Sequence, residues 1–311
     1  MILIFGVDGL SFRYCVEKGL FIDQGSFFRS DAMITDFMAR EPFSGPNWTS
    51  IYTGLQPVDH GVIMNGRTMS GPTFADVRSS TWLDGENTAS FLMPFTWGLE
   101  VVGKSWTVPG WPSPTDLDIA QGIDLPEEFL FDVMDERLGT VWGQMVNATF
   151  PPEVLDTLVL ILGYHSGFLF RHSNDLRSKD VVAVGTKAVD RVCHAYGGLG
   201  DHGVYGIHCW VEQIFKMLVW MYQPDYWVVC SDHGFQDEGG KHDTEGICVY
   251  SGSPGVEEEA RPVWEVGQMI GEEAGVSLGE SVSSCHRLDF DTMKGYRRTQ
   301  LLGAGATGTG A

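Results

Sequence analysis

The chain has 311 residues, a formal net charge of −21 and a sequence pI near 4.6. Its length suits one large α/β domain with an insertion, and its acidity argues against a nucleic-acid duplex or an anionic membrane as partner surface. A small anionic substrate stays open, because bound cations would dominate the field in a site.

In chain order, residues 2–7 are apolar throughout and predict a buried parallel strand that delivers Asp8 and Gly9. Ser44 to Gly54 predicts a turn feeding a helix, with Pro46 at the first helical position and Gly54 at the stop. Leu99 to Val108 predicts a strand ending at Pro109, and residues 109–156, rich in Pro, Asp, Glu and Trp, predict an inserted cap. Val181 to Val189 is β-branched and apolar, which predicts a core strand delivering Asp190. His208 to Tyr222 has helical apolar spacing and stops before Pro224. Strands follow at Tyr226 to Cys230 and at Gly246 to Tyr250, and the Gly/Ala/Thr tail from 302 to 311 predicts disorder.

This order predicts an α/β fold: a mostly parallel central sheet with helices on both faces. The core spans 1–252 and is interrupted by the 109–156 cap; residues 253–301 extend the core at its C-terminal end. The six cysteines form no CxxC pair, Met1 leads straight into the first strand, and the apolar run 157–163 is too short to span a bilayer. The expectation is a reduced, cytoplasmic protein without a signal peptide.

Asp8, Asp190 and Asp232 each follow a predicted strand, where ligands gather in open α/β sheets. His194 lies four residues after Asp190, His233 adjoins Asp232, and His242 sits in a glycine-rich loop. Carboxylates mixed with imidazoles suit two divalent ions, zinc first and manganese as the alternative. Asp232 and His233 can share one ion only where the chain turns, as Gly234 permits.

Ser44, beside a helix N-terminus, is the candidate nucleophile, since free N–H groups and the dipole there favour an anion. Thr49 and Ser50 are rival hydroxyls placed inside the helix. Asn47 either donates its amide to a phosphoryl oxygen or is an ordinary first-turn residue. Trp48 in the core and Trp111 in the cap are candidate surfaces for stacking a nucleobase. Asp201-His202-Gly203 repeats the Asp-His-Gly triplet after a glycine-rich loop and is read as surface; Lys187 is read as solvated and His60 as fixing a turn.

The ordered set of Gly6-Val7-Asp8-Gly9, Ser44-Gly45-Pro46-Asn47, Tyr52-Thr53-Gly54, His60-Gly61, Asp190 to His194, Ser231-Asp232-His233-Gly234 and Gly240-Lys241-His242 resembles the alkaline phosphatase superfamily, in its type I phosphodiesterase/nucleotide pyrophosphatase branch. The resemblance covers 1–252 in pieces. It implies an alkaline phosphatase-like fold and two zinc sites, one held by Asp190, His194 and His242, the other by Asp8, Asp232, His233 and Ser44. It also implies phosphate binding by Asn47 and a small, nucleotide-like phosphorylated substrate. Serine stands where that branch mostly has threonine, and Trp48-Thr49 departs from its usual run. Phosphodiester or nucleotide pyrophosphate cleavage is favoured, because no cationic clamp for a terminal phosphate is evident. A phosphomonoesterase or phosphonate hydrolase is the near alternative, and a non-catalytic nucleotide-binding protein the distant one.

Overall fold

The run Ile2–Val7 carries no polar side chain and forms β1, an inner strand of the sheet, so both of its faces are covered. The computed structural model describes residues 1–36, 40–64, 77, 79–85, 87–96, 106–108, 173–200, 202–257 and 259–279. After β1 come α1 (Phe12–Lys18), β2 (Ser26–Asp31), β3 (Ile34–Asp36), β4 (Glu41–Pro42), α2 (Ser44–Thr53), α3 (Pro57–His60), β5 (Thr88–Phe91) and β6 (Trp106–Val108). Then follow α4 (Ser173–Leu176), β7 (Val181–Thr186), α5 (Ala188–Tyr196), α6 (His202–Tyr222) and β8 (Tyr226–Cys230). The last described elements are β9 (Gly234–Phe235), β10 (His242–Asp243), β11 (Glu245–Tyr250), β12 (Gly255–Val256), β13 (Arg261–Pro262) and α7 (Val263–Ala274).

The main sheet runs β12-β2-β11-β8-β1-β7-β5-β6, with β13 also on β2. The stretch β8-β1-β7-β5-β6 is parallel, and β11 is antiparallel to both β8 and β2. Alternation along β1 divides two cores. Leu3, Phe5 and Val7 pack with Val189 and Val192 of α5 and with Val211, Phe215 and Leu218 of α6. Ile4 packs on the other face with Trp48, Ile51 and Tyr52 of α2 and with Val263, Val266 and Ile270 of α7. The expected mostly parallel sheet with helices on both faces is therefore what the chain forms.

Some boundaries differ from the sequence reading. β7 stops at Thr186, and Ala188 already belongs to α5, so Asp190 comes from a helix rather than from the strand end. An apolar, β-branched run cannot by itself separate a buried strand from the buried face of the helix after it. The predicted helix at His208 starts earlier, at His202, so His202 and Gly203 belong to its first turn.

In the C-terminal extension, α7 packs closely on α2. A side chain at Gly267 would run into the carbonyls of Ser50 and Ile51, and Gln268 Nε2 donates to the Gly54 carbonyl at 3.0 Å. Fully burying Val263, Val266 and Ile270 stabilises this contact by about 1.5–3 kcal/mol per side chain. The predicted cap at 109–156, with Trp111, and the tail at 302–311 lie outside the described residues. Among the described residues, no helix is long and apolar enough to cross a membrane.

Candidate metal centre and nucleophile

Parallel register brings the site together. Gly6 of β1 is level with Gly185 of β7 and Cys230 of β8, so the chain leaves all three strands at one edge. Asp8 follows β1 directly and is fully buried, and its carbonyl accepts the Asp190 amide at 3.1 Å. Gly9, at φ +81°, permits that approach: a Cβ there would press on the Phe235 ring and lie 3.1 Å from the Asp190 Cα. Gly234 serves differently from expectation. It is absent from the positive-φ positions, and its hydrogen side chain is what leaves room for the Glu245 carbonyl.

Ser44 is the first residue of α2, behind the N-cap Phe43, so Pro46 is the third helical residue and not the first. The serine is 3% exposed, and its Oγ lies 3.1 Å from His233 Nε2 and 3.5 Å from Asp8 Oδ1. Asp8, Asp232 and His233 form a group of ligand-type atoms all within 4.8 Å of one another. His233 Nε2 is 3.3 Å from Asp8 Oδ1 and 3.4 Å from Asp232 Oδ2. Beside this inner triad, Asp190 Oδ1 is 3.3 Å from His194 Nε2 and 3.4 Å from His242 Nε2, and the two imidazole nitrogens are 3.0 Å apart. His233 also lies within reach of Asp190 and His242, so the two triads share a wall.

The tautomers follow from the carbonyls. His233 Nδ1 is 3.0 Å from the Gly234 oxygen, and His242 Nδ1 is 3.0 Å from the Pro42 oxygen. A carbonyl only accepts, so each Nδ1 carries hydrogen, and a neutral ring then has a bare Nε2 aimed at carboxylate oxygens. Lone pairs facing lone pairs call for a cation between them. Asp232 makes the same demand: both its oxygens are buried without a hydrogen-bond partner among the described residues. Tetrahedral zinc with bonds of about 2.0–2.1 Å spaces its ligand atoms by roughly 3.3 Å, and the inner and outer contacts span 3.0–3.4 Å. The donor set fits a pair of zinc-sized ions.

Protonation reflects the same crowding. Burial, with Asp8 and Asp190 nearby, pushes the Asp232 carboxyl well above its usual range. Burial also acts to raise Asp190, but His194 and Lys187 outweigh it and hold that carboxyl well below its usual value. Asp8 is lowered as well: burial opposes ionisation, while Lys187 and the neighbouring His233 overcome it. Burial and then His242 depress His233, whereas His242 is raised because Asp190 outweighs its desolvation.

Several assigned residues sit elsewhere than expected. Trp48 is fully buried, stacked near Tyr52, and donates Nε1–H to Asp8 Oδ2 at 3.3 Å; it offers no face to a nucleobase. The Asn47 amide is spent on backbone: Oδ1 accepts from Met33 N at 2.7 Å, and Nδ2 donates to Met33 O at 3.1 Å and Phe43 O at 2.8 Å. With both hydrogens engaged, it clamps the segment before α2 and has no donor left for a phosphoryl oxygen. Thr49 donates to Gly45 O and Ser50 pairs with His60, so neither rivals Ser44. His60 also accepts the Val62 amide at Nδ1, which fixes the turn as expected.

Lys187 is only partly exposed and is paired rather than free in solvent. It caps α5, and its Nζ lies 3.3 Å from Asp8 Oδ2 and 4.0 Å from Asp190 Oδ2. Arg191 Nε stands 3.9 Å from Asp190 Oδ2. Sequence reasoning missed Lys187 because its i,i+3 relation to Asp190 becomes visible only once the helix is known to start at 188.

With this geometry in place, residues 2–249 match the model of the family "Type I phosphodiesterase / nucleotide pyrophosphatase". The chain belongs to that family of hydrolases. Human ectonucleotide pyrophosphatase / phosphodiesterase 5 is similar in fold, with a TM-score of 0.55 at 9% identity over 91% of this chain and 96% of that one. The inactive murine counterpart, solved in complex with AMP, gives 0.52 at 10% over 94% and 98%. A phosphonate monoester hydrolase from Silicibacter pomeroyi gives 0.50 at 11% over 89% and 73%. None of the curated proteins matches the chain.

Proposed function

We propose that this member of the type I phosphodiesterase/nucleotide pyrophosphatase family cleaves phosphodiester or nucleotide pyrophosphate bonds in a small nucleotide-like substrate, with Ser44 as nucleophile. One observation carries the reading: two ligand triads meet beside a single buried hydroxyl, with bare imidazole nitrogens aimed at carboxylates. Asp8, Asp232, His233 and Ser44 would hold one divalent cation, and Asp190, His194 and His242 the other. When bound, such ions, zinc by ligand type, supply the positive charge that acidifies a hydroxyl or water and offsets the non-bridging phosphoryl oxygens.

The chain's own residues provide the rest. Ser44 Oγ forms a bond to phosphorus as the bond to the leaving oxygen breaks, and its proton passes to solvent. The N-terminal end of α2 faces the resulting negative charge. Water then displaces Ser44 Oγ from phosphorus and restores the hydroxyl. Two in-line displacements retain configuration at phosphorus. The carbonyls of Gly234 and Pro42 keep both imidazoles in the ligating tautomer throughout.

Support for diesters over monoesters comes from the cations beside the site: Lys187 and Arg191 are engaged with Asp8 and Asp190. The AMP found with the murine relative supports a nucleotide-like substrate. The test is turnover of a chromogenic phosphodiester and of the matching monoester by zinc-loaded protein. Diester cleavage at the higher kcat/KM is expected. A monoester preference overturns the substrate assignment, and zinc bound at two equivalents with no turnover of any phosphoryl compound overturns catalysis itself.

A further inference from the structure

Lys187 holds an unusual place for a cation beside ligands meant for cations. The two carboxylates it meets use different oxygens for different purposes. Asp8 Oδ1 faces Ser44 and His233, while Asp8 Oδ2 faces Lys187 and the Trp48 indole. Asp190 Oδ1 faces His194 and His242, while Asp190 Oδ2 faces Lys187. The ammonium thus stands behind both triads at once, and the indole stands behind only the inner one.

We propose that Lys187 is a resident counter-cation that keeps the pocket assembled without metal and limits how tightly both ions bind. Asp8 and Asp190 are 0% and 3% exposed, so their charges need a nearby positive group when no ion is present. The same fixed charge repels an arriving dication. Trp48 has the opposite effect: its neutral N–H holds Asp8 Oδ2 in place, leaves Oδ1 for the ion, and adds no repulsion. Lys187 and Trp48 are positioning residues that act through Asp8 and Asp190.

The inference rests on the two-metal reading, and a zinc titration of purified full-length chain separates the two. Chelator competition gives the affinity of each equivalent, and thermal unfolding is followed with and without zinc. In Lys187→Met, both ions should bind at least about tenfold more tightly, since a unit charge some 5 Å from a dication is felt even under water-like screening. The metal-free variant should melt lower, and Lys187→Arg should restore parent behaviour. Trp48→Phe should weaken one ion only. Equal or weaker zinc affinity in Lys187→Met overturns the proposal while the two-metal reading stands. A parent chain that binds no zinc sinks that reading instead. Should metal-free Lys187→Met fail to fold, Lys187→Gln purified with zinc supplies the same affinity comparison.

Discussion

Two regions of the molecule bury histidines, and they do so on opposite terms. In the pocket at the strand ends, His233 and His242 each fix Nδ1–H on a carbonyl and turn Nε2 toward carboxylates. In the packed interior, His208 fixes Nδ1 on the Val204 carbonyl, and its Nε2 meets no partner among the described residues. His60 has both nitrogens occupied, by Val62 N and by Ser50. Burial holds His60 and His208 near a pKa of about 4, outweighing the backbone hydrogen bonds that act to raise both. Depth of burial therefore does not identify a ligand; what faces the bare nitrogen does.

The largest effect expected from breaking this contrast is in the pocket. Ser44→Ala should lower turnover by at least about a thousandfold with an unchanged melting temperature, measured on zinc-loaded protein; undiminished hydrolysis would reject Ser44. In the interior, acid should act through His208. Its folded pKa of about 4 lies below the unfolded value near 6.5, so the unfolded chain binds the extra proton. Stability falls as pH drops from about 6.5 to about 4, by roughly 3 kcal/mol in all. Denaturant unfolding of His208→Leu should lack that increment of pH dependence, and an unchanged pH profile would contradict the assignment. His194→Gln should weaken one zinc equivalent by about 10–100-fold and leave the other, since His194 is 29% exposed on the outer triad while the inner one is closed; simultaneous loss of both ions would show that the triads are not separable. The smallest effect is that of Asn47→Ala: a loss of about 1–3 kcal/mol of stability with kcat/KM nearly kept. A collapse of kcat/KM at unchanged stability would return Asn47 to the phosphate.

The meeting of Asp8, Asp232 and His233 was legible because they follow apolar strands, and strand ends of a parallel sheet converge. Asp190 and His194 were readable from their i,i+4 spacing although the preceding strand was drawn too long. Trp48 and Lys187 reach Asp8, far away in the sequence, whereas Asn47 turns back on the nearby backbone of Phe43 and Met33. Nothing in the local sequence says that the indole reaches Asp8, or that the Asn47 amide is spent on Met33 and Phe43. Polar side chains in a helix's first turns look alike until their neighbours are known. The helix α7 was also unread, since its apolar positions matter only against α2.

That last contact reaches the Ser44 helix from beyond the family match. The family match ends at residue 249, yet Val263–Ala274 backs the helix that carries Ser44. A chain trimmed to the shared pattern would keep every candidate ligand and Ser44 but lose the helix packed behind α2. A substitution in this distal segment would be felt at α2, and so at Ser44, without altering any candidate ligand.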